Sequence, residues 1–218
     1  PDSADGIEVE APEDDDADER DDDDVPKWER FLLRPAWADF DEPQNEYQLR
    51  VLAKVAELTA PDDPIYDNTG TFVARPHAYW FYYTFRSIWS YHSEMLEDEV
   101  PEAIEASGAV MVLLDSRYPA LPASLRGYLE KHYQPYNGDI WMAGQRYRPK
   151  GDAGDRQKAK FFAVTEGEYF VYPPDAWQRA KITIDGEQPK SATVRLERGQ
   201  RRIEYDAGAD DFAILWLP

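Results

Sequence analysis

Apolar positions recur at helical spacing in the first part of this chain and at spacing two in the last. Over residues 43–59 (PQNEYQLRVLAKVAELT), Tyr47, Val51, Val55 and Leu58 fall on one helical face. Asp41 is placed to cap that helix, Pro43 suits its first turn and Ala60-Pro61 ends it. Pro-Asp-Asp-Pro then reads as a turn, Ile65-Tyr66-Asp67 as a short strand and Asn68-Thr69-Gly70 as a second turn. Residues 76–96 are long and lack strict alternation, which predicts a helix; residues 101–107 predict a short helix closed by Gly108. Residues 109–114 (AVMVLL) are continuously apolar, the pattern of a strand covered on both faces as in a parallel sheet. Residues 122–133 predict a helix with Leu125, Tyr128, Leu129 and His132 on one side, and residues 140–144 a further strand. Alternation of strand and helix predicts an α/β class: a small layered α/β domain with a mostly parallel sheet over residues 27–150.

Residues 149–158 read as a linker or long loop. From residue 160 the pattern alternates between turn signals: Tyr169 with Val171, Ile182 with Ile184, Val194 with Leu196, Ile203 with Tyr205, then Phe212, Ile214 and Trp216. Five or six short strands about ten residues apart predict an antiparallel β-sandwich over residues 151–218.

Charge separates off a third region. Residues 1–24 hold fourteen acids and one base, against a net charge of −20 for the 218-residue chain. Residues 1–26 therefore read as an acidic linker that cannot bury apolar area. The rest is only moderately acidic and shows no basic face of the kind a nucleic acid needs. Sixteen arginines against eight lysines, with abundant acid, fit a halophilic protein kept soluble in high salt. There is no cysteine and no apolar run long enough to span a bilayer.

Candidate chemistry is sparse. His77, His92 and His132 have no His partner at metal spacing, and no nucleophile elbow, phosphate loop, dinucleotide or zinc-protease motif occurs, so no catalytic residue, metal or cofactor is assigned. Asp67 and Asp115 end predicted strands, the edge at which open α/β sheets take ligands, and with Arg75, His77 and Tyr79 they could line a polar cleft. The alternative is structural, with Asp67 capping a turn and Asp115 ending a strand. Tyr79 and Trp80 open a run of aromatics (Phe81, Tyr82, Tyr83, Phe85, Trp89, Tyr91) too dense for one buried helical stripe. Such rings suit sugar stacking or a membrane interface, or simply a core.

Residues 44–144 carry Gln44-Asn45-Glu46-Tyr47, Pro64-Ile65-Tyr66-Asp67, Arg75-Pro76-His77-Ala78-Tyr79-Trp80, Val112-Leu113-Leu114-Asp115, Leu121-Pro122, Tyr133-Gln134-Pro135-Tyr136 and Ile140-Trp141. This resembles the water-facing C-terminal region of bacterial polytopic glycosyltransferases of the GT-C class, similar to protein mannosyltransferases and aminoarabinose transferases. The resemblance implies a domain on the extracytoplasmic face of the membrane, joined to a membrane-embedded part of the same polypeptide that takes sugar from a polyprenyl-phosphate carrier. It implies catalytic acids in membrane loops outside this sequence, with glycan or polyprenyl-phosphate sugar as possible ligands here. A stand-alone carbohydrate- or cell-wall-binding protein is the alternative. Tyr169-Phe170-Val171, Ile184-Asp185-Gly186, Leu196 and Gly199 are similar to small sandwiches that accompany carbohydrate-active proteins, and equally fit hairpin turns.

Overall fold

The computed structural model describes residues 44–68, 72, 74–79, 93–115 and 118–218. The acidic segment 1–26, the capping positions Asp41 and Pro43, and the aromatic run from Trp80 to His92 lie outside them. All described residues belong to one unit, Arg34–Pro218.

Helix α1 (Gln44–Leu58) buries Val55 and Leu58 and half-covers Tyr47 and Val51, the face its spacing predicts. Its last turn leaves carbonyls without helical donors. Thr59 answers one through its N–H and its hydroxyl, 3.0 and 2.6 Å from the Val55 oxygen. Strand β1 (Ile65–Asp67) follows after the turn at 61–62.

Helix α2 (Ser93–Ser107) runs straight through Pro101, where two separate helices were expected. An interior proline removes a hydrogen bond and costs about 3 kcal/mol. Leu96, Val100 and Ile104, all at most 2 % exposed, keep one apolar stripe across it, and their burial offsets that cost. Strand β2 (Met111–Leu113) comes next, then a 3-10 turn (Tyr118–Ala120) and helix α3 (Ala123–His132), which buries Leu125, Leu129 and His132.

The remaining elements are β3 (Tyr133–Asn137), β4 (Ile140–Tyr147), β5 (Arg156–Ala163), β6 (Gly167–Tyr172), α4 (Ala176–Arg179), β7 (Thr183–Ile184), β8 (Thr193–Leu196), β9 (Gly199–Asp206) and β10 (Phe212–Leu217). One mixed sheet has the order β1-β2-β4-β10-β6-β8, with β3 also paired to β4; a separate antiparallel sheet has the order β5-β9-β7. The protein is thus a mixture of helices with a mixed sheet and an antiparallel sheet.

Two expectations are corrected here. The first sheet is not mostly parallel: only β1 and β2 pair that way, and β2, β3, β10 and β6 meet their neighbours antiparallel. The 109–114 run is buried because β2 lies between β1 and β4, and a central position produces a continuous apolar run in either orientation. Secondly, no break in the sheet falls at residue 150. The final strand β10 inserts between β4 and β6, joining residues on both sides of that boundary. Gly144 permits the insertion, since a Cβ there would stand 2.5 Å from the Ile214 carbonyl oxygen. The linker is also shorter than expected, because β5 begins at Arg156.

Rings cross from one sheet to the other. Tyr205 of β9 stands edge-on to Tyr147 and Phe212 (5.6 and 5.1 Å between centroids), which stack on each other at 4.9 Å. Phe161 of β5 meets Tyr169 of β6 at 5.4 Å, also edge-on.

Candidate functional site

The parallel pair fixes a carboxyl edge. Register pairs Asp67 with Leu113, so the residues that follow each strand emerge side by side. The Asn68 N–H extends the pair to the Leu113 carbonyl at 3.3 Å, and the Asn68 amide donates to Asp115 Oδ1, also at 3.3 Å. A third strand end joins them. Asp139, just before β4, accepts the Leu114 N–H on its carbonyl at 2.8 Å, and its side chain is hydrogen-bonded to the Tyr47 hydroxyl of α1.

The electrostatics are uneven. Burial pushes the Asp139 carboxyl above the usual carboxylate range, the Tyr47 hydrogen bond pulls it part of the way back, and the charge of Asp115 adds to the rise. Asn68 is 1 % exposed, yet its Oδ1 has no donor. A buried acceptor in that state carries a desolvation cost that a ligand donor would remove.

The other expected site residues gather around Phe72. Asp67, 2 % exposed, accepts the Phe72 N–H on Oδ2 at 2.8 Å. His77 Nε2 lies 2.7 Å from the Phe72 carbonyl oxygen; a carbonyl only accepts, so that nitrogen carries the proton. Arg75 lies over the Phe72 ring, 5.8 Å from its centroid. The same guanidinium donates to the carbonyls of Ala56 (3.1 Å) and Thr59 (2.8 Å), closing the end of α1, and to Thr59 Oγ1 (2.9 Å). Residues 76–78 run along the outer edge of β1, with Ile65 N–H on the Pro76 carbonyl and Ala78 N–H on the Ile65 carbonyl. Tyr79 donates its hydroxyl to Glu99 Oε2 at 2.8 Å, tying this segment to α2. Trp80 lies outside the described residues.

The six expected residues therefore divide. Asp67, Arg75 and His77 spend hydrogen bonds on the backbone of Phe72 and of α1, and Tyr79 reaches α2. Asp115 instead shares the carboxyl edge with Asn68, Asp139 and Tyr47, three residues that sequence reasoning did not select. Asn68 was read as a turn residue, and Tyr47 as part of a helix face and of a resemblance motif, neither as a site residue. Asp139 had a readable signal: Asn137-Gly138 is a hairpin pair, and Gly138 takes φ +53, which places Asp139 at the mouth of β4. Among the described residues no three His, Asp or Glu side chains gather to hold a metal ion, and no helix is long and apolar enough to cross a membrane.

This edge can accept hydrogen bonds from a ligand's hydroxyl groups through two carboxylates and one amide oxygen. Compared with protein families, curated proteins and solved structures, the chain matches none.

Proposed function

We propose that this chain is the non-catalytic, water-facing domain of a membrane glycosyltransferase using a polyprenyl-phosphate sugar donor, and that its carboxyl edge holds hydroxyls of the acceptor or donor sugar. The observation that carries the binding reading is the meeting of Asp115, Asp139 and the unsatisfied Asn68 oxygen at one strand edge. Several acceptors at one strand edge suit a polyol. The motifs over residues 44–144 support the assignment to a membrane enzyme. On this reading the domain sits at the extracytoplasmic face, and its partner is the membrane-embedded part of the same polypeptide. The ring contacts of Phe161 with Tyr169 and of Tyr205 with Phe212 support the finer architecture, an antiparallel sandwich of the β5-β9-β7 sheet on the β10-β6-β8 strands.

A calorimetric titration at high salt against a panel of glycans and polyprenyl-phosphate sugars tests it. Saturable binding that weakens about tenfold or more in Asn68→Ala or Asp115→Asn is the expected result. No binding across the panel, or binding indifferent to both variants, overturns it. Asp139 favours one second reading, a paired-carboxylate hydrolase, because a carboxyl held above its usual range beside a second carboxylate is the kind of group general acid catalysis uses. Turnover of a glycoside by the wild-type chain, lost in Asp139→Asn, would replace the first reading with this one.

A further inference from the structure

At the opposite end of β4 from Asp139 the sign of the charge reverses. Beyond Ala143, strands β2 and β3 no longer pair with β4; β10 covers one edge, and none of the described strands covers the other. Against that open edge lies the end of α3. Between them is a groove of about 330 Å³ lined by Glu130, Lys131, Gln134, Gln145, Arg146 and Arg148.

The charges in this groove are not balanced. Arg146 and Arg148 share a single carboxylate oxygen, Asp211 Oδ2, at 2.9 and 3.8 Å. Lys131 is exposed and has no ion pair among the described residues. Glu130 is occupied by the Tyr118 hydroxyl at 2.6 Å. Three cations thus face two carboxylates, in a chain whose net charge is −20. Elsewhere on the C-terminal strands Arg195 has Glu166 and Arg202 has Glu204 as carboxylates of their own. A concave site that reverses the sign of its surroundings draws anions, and a guanidinium fork matches the oxygens of a phosphate. The groove also holds Gln145, whose Oε1 is buried with no donor. A bare phosphate at neutral pH offers that oxygen little, whereas a sugar hydroxyl satisfies it. The volume lies at the small end of ligand sites and suits one monosaccharide unit.

We propose that this groove binds a phosphorylated sugar, with the phosphate on Lys131 and Arg148 and a hydroxyl on Gln145. The site is distinct from the carboxyl edge, roughly 20 Å away along β4 at the ordinary strand rise, and it stands whether or not that edge binds a glycan. Its phosphate ester can belong to a free sugar phosphate or to a lipid headgroup.

Calorimetric titration of the whole chain with glucose 1-phosphate, inorganic phosphate and glucose, and a flotation assay with phosphatidylglycerol vesicles against phosphatidylcholine vesicles, test it. Glucose 1-phosphate should bind more tightly than inorganic phosphate, and glucose should not bind. Lys131→Ala with Arg148→Ala should weaken binding about tenfold or more, with an unchanged melting midpoint because both side chains are exposed. Gln145→Ala should erase the preference for the sugar ester over inorganic phosphate. Binding of the soluble ester alone assigns the site to a free sugar phosphate, and binding of both the ester and phosphatidylglycerol vesicles extends it to a headgroup; either supports the site if the double variant loses it, whereas vesicle binding without the ester, or no binding of any probe, overturns it. An unaffected double variant, an equal loss in Lys158→Ala with Lys160→Ala on β5, or glucose binding as well as its phosphate would overturn it.

Discussion

Two carboxylates in this protein are set in opposite directions, and the contrast separates a structural acid from one with capacity to spare. Asp206, at the end of β9, sits below the usual carboxylate range because the N–H groups of Gly154 and Gly208 both donate to it, each at 3.0 Å, with Lys181 at 3.8 Å adding a little. Its acceptors are used in closing two turns on each other. Asp139, at the carboxyl edge of the parallel pair, sits above the usual range because it is buried beside Asp115 and has only Tyr47 to oppose the rise. Backbone donors make Asp206 a latch. Burial without enough donors leaves Asp139 able to take a proton or a ligand hydroxyl.

The largest test asks whether the two regions share one cooperative unit. In Gly144→Val a side chain would meet the Ile214 oxygen and the Leu215 side chain, splitting β4 from β10. A loss of about 3 kcal/mol or more is expected, with amides of β4 and of β9 losing hydrogen-exchange protection together. Protection surviving in one region alone would place the two carboxylates in separate units.

A smaller effect concerns His132, packed between Tyr128 and Phe162 and lowered by burial to about 4, with Lys131 contributing. The unfolded chain binds its proton first, so stability is full above the ordinary histidine value near 6.5 and falls as pH drops toward 4. The loss across that window is worth up to about 3 kcal/mol, and His132→Leu should remove it in urea melts at pH 7 and pH 4.5.

Within the acid limb the two carboxylates should then part. Asp206 is held low, so its stabilisation is present above the unfolded value near 3.9 and disappears as pH falls through its folded value. Asp206→Ala leaves two glycine N–H groups without an acceptor and should lower the melting midpoint at neutral pH. Asp139 is held high, so the folded state takes up its proton first, and stability falls as pH rises from about 3.9 through the folded value. Asp139→Asn should leave the neutral-pH midpoint unchanged or slightly raised and flatten that limb. Equal destabilisation by the two substitutions would erase the distinction.

How much of this was legible depended on whether burial had a local cause. The C-terminal strands alternate because one face of each is covered, so Ile203 with Tyr205 and Phe212 with Ile214 predicted their own burial. The 109–114 run announced a strand but not its partners, since a central strand is apolar whether its neighbours run parallel or antiparallel. No local pattern could show that residues 212–217 would enter the sheet beside residues 144–147. The site was half readable for the same reason. Asp67 and Asp115 were visible as strand ends, whereas the duties of Asp67, Arg75 and His77 depend on Phe72 folding back between them. Asp139 reaches Asp115 only because the Asn137-Gly138 hairpin returns β4 alongside β2.

The most direct measurement is a carbon-13 NMR titration of the aspartate carboxyl groups, at high salt, against the glycan that binds most tightly in calorimetry. Saturable shifts are expected at Asp115 and Asp139, with the Asp139 titration moved in pH, while Asp206 stays where it is. Shifts absent from both Asp115 and Asp139, or as large at Asp206, would contradict that expectation.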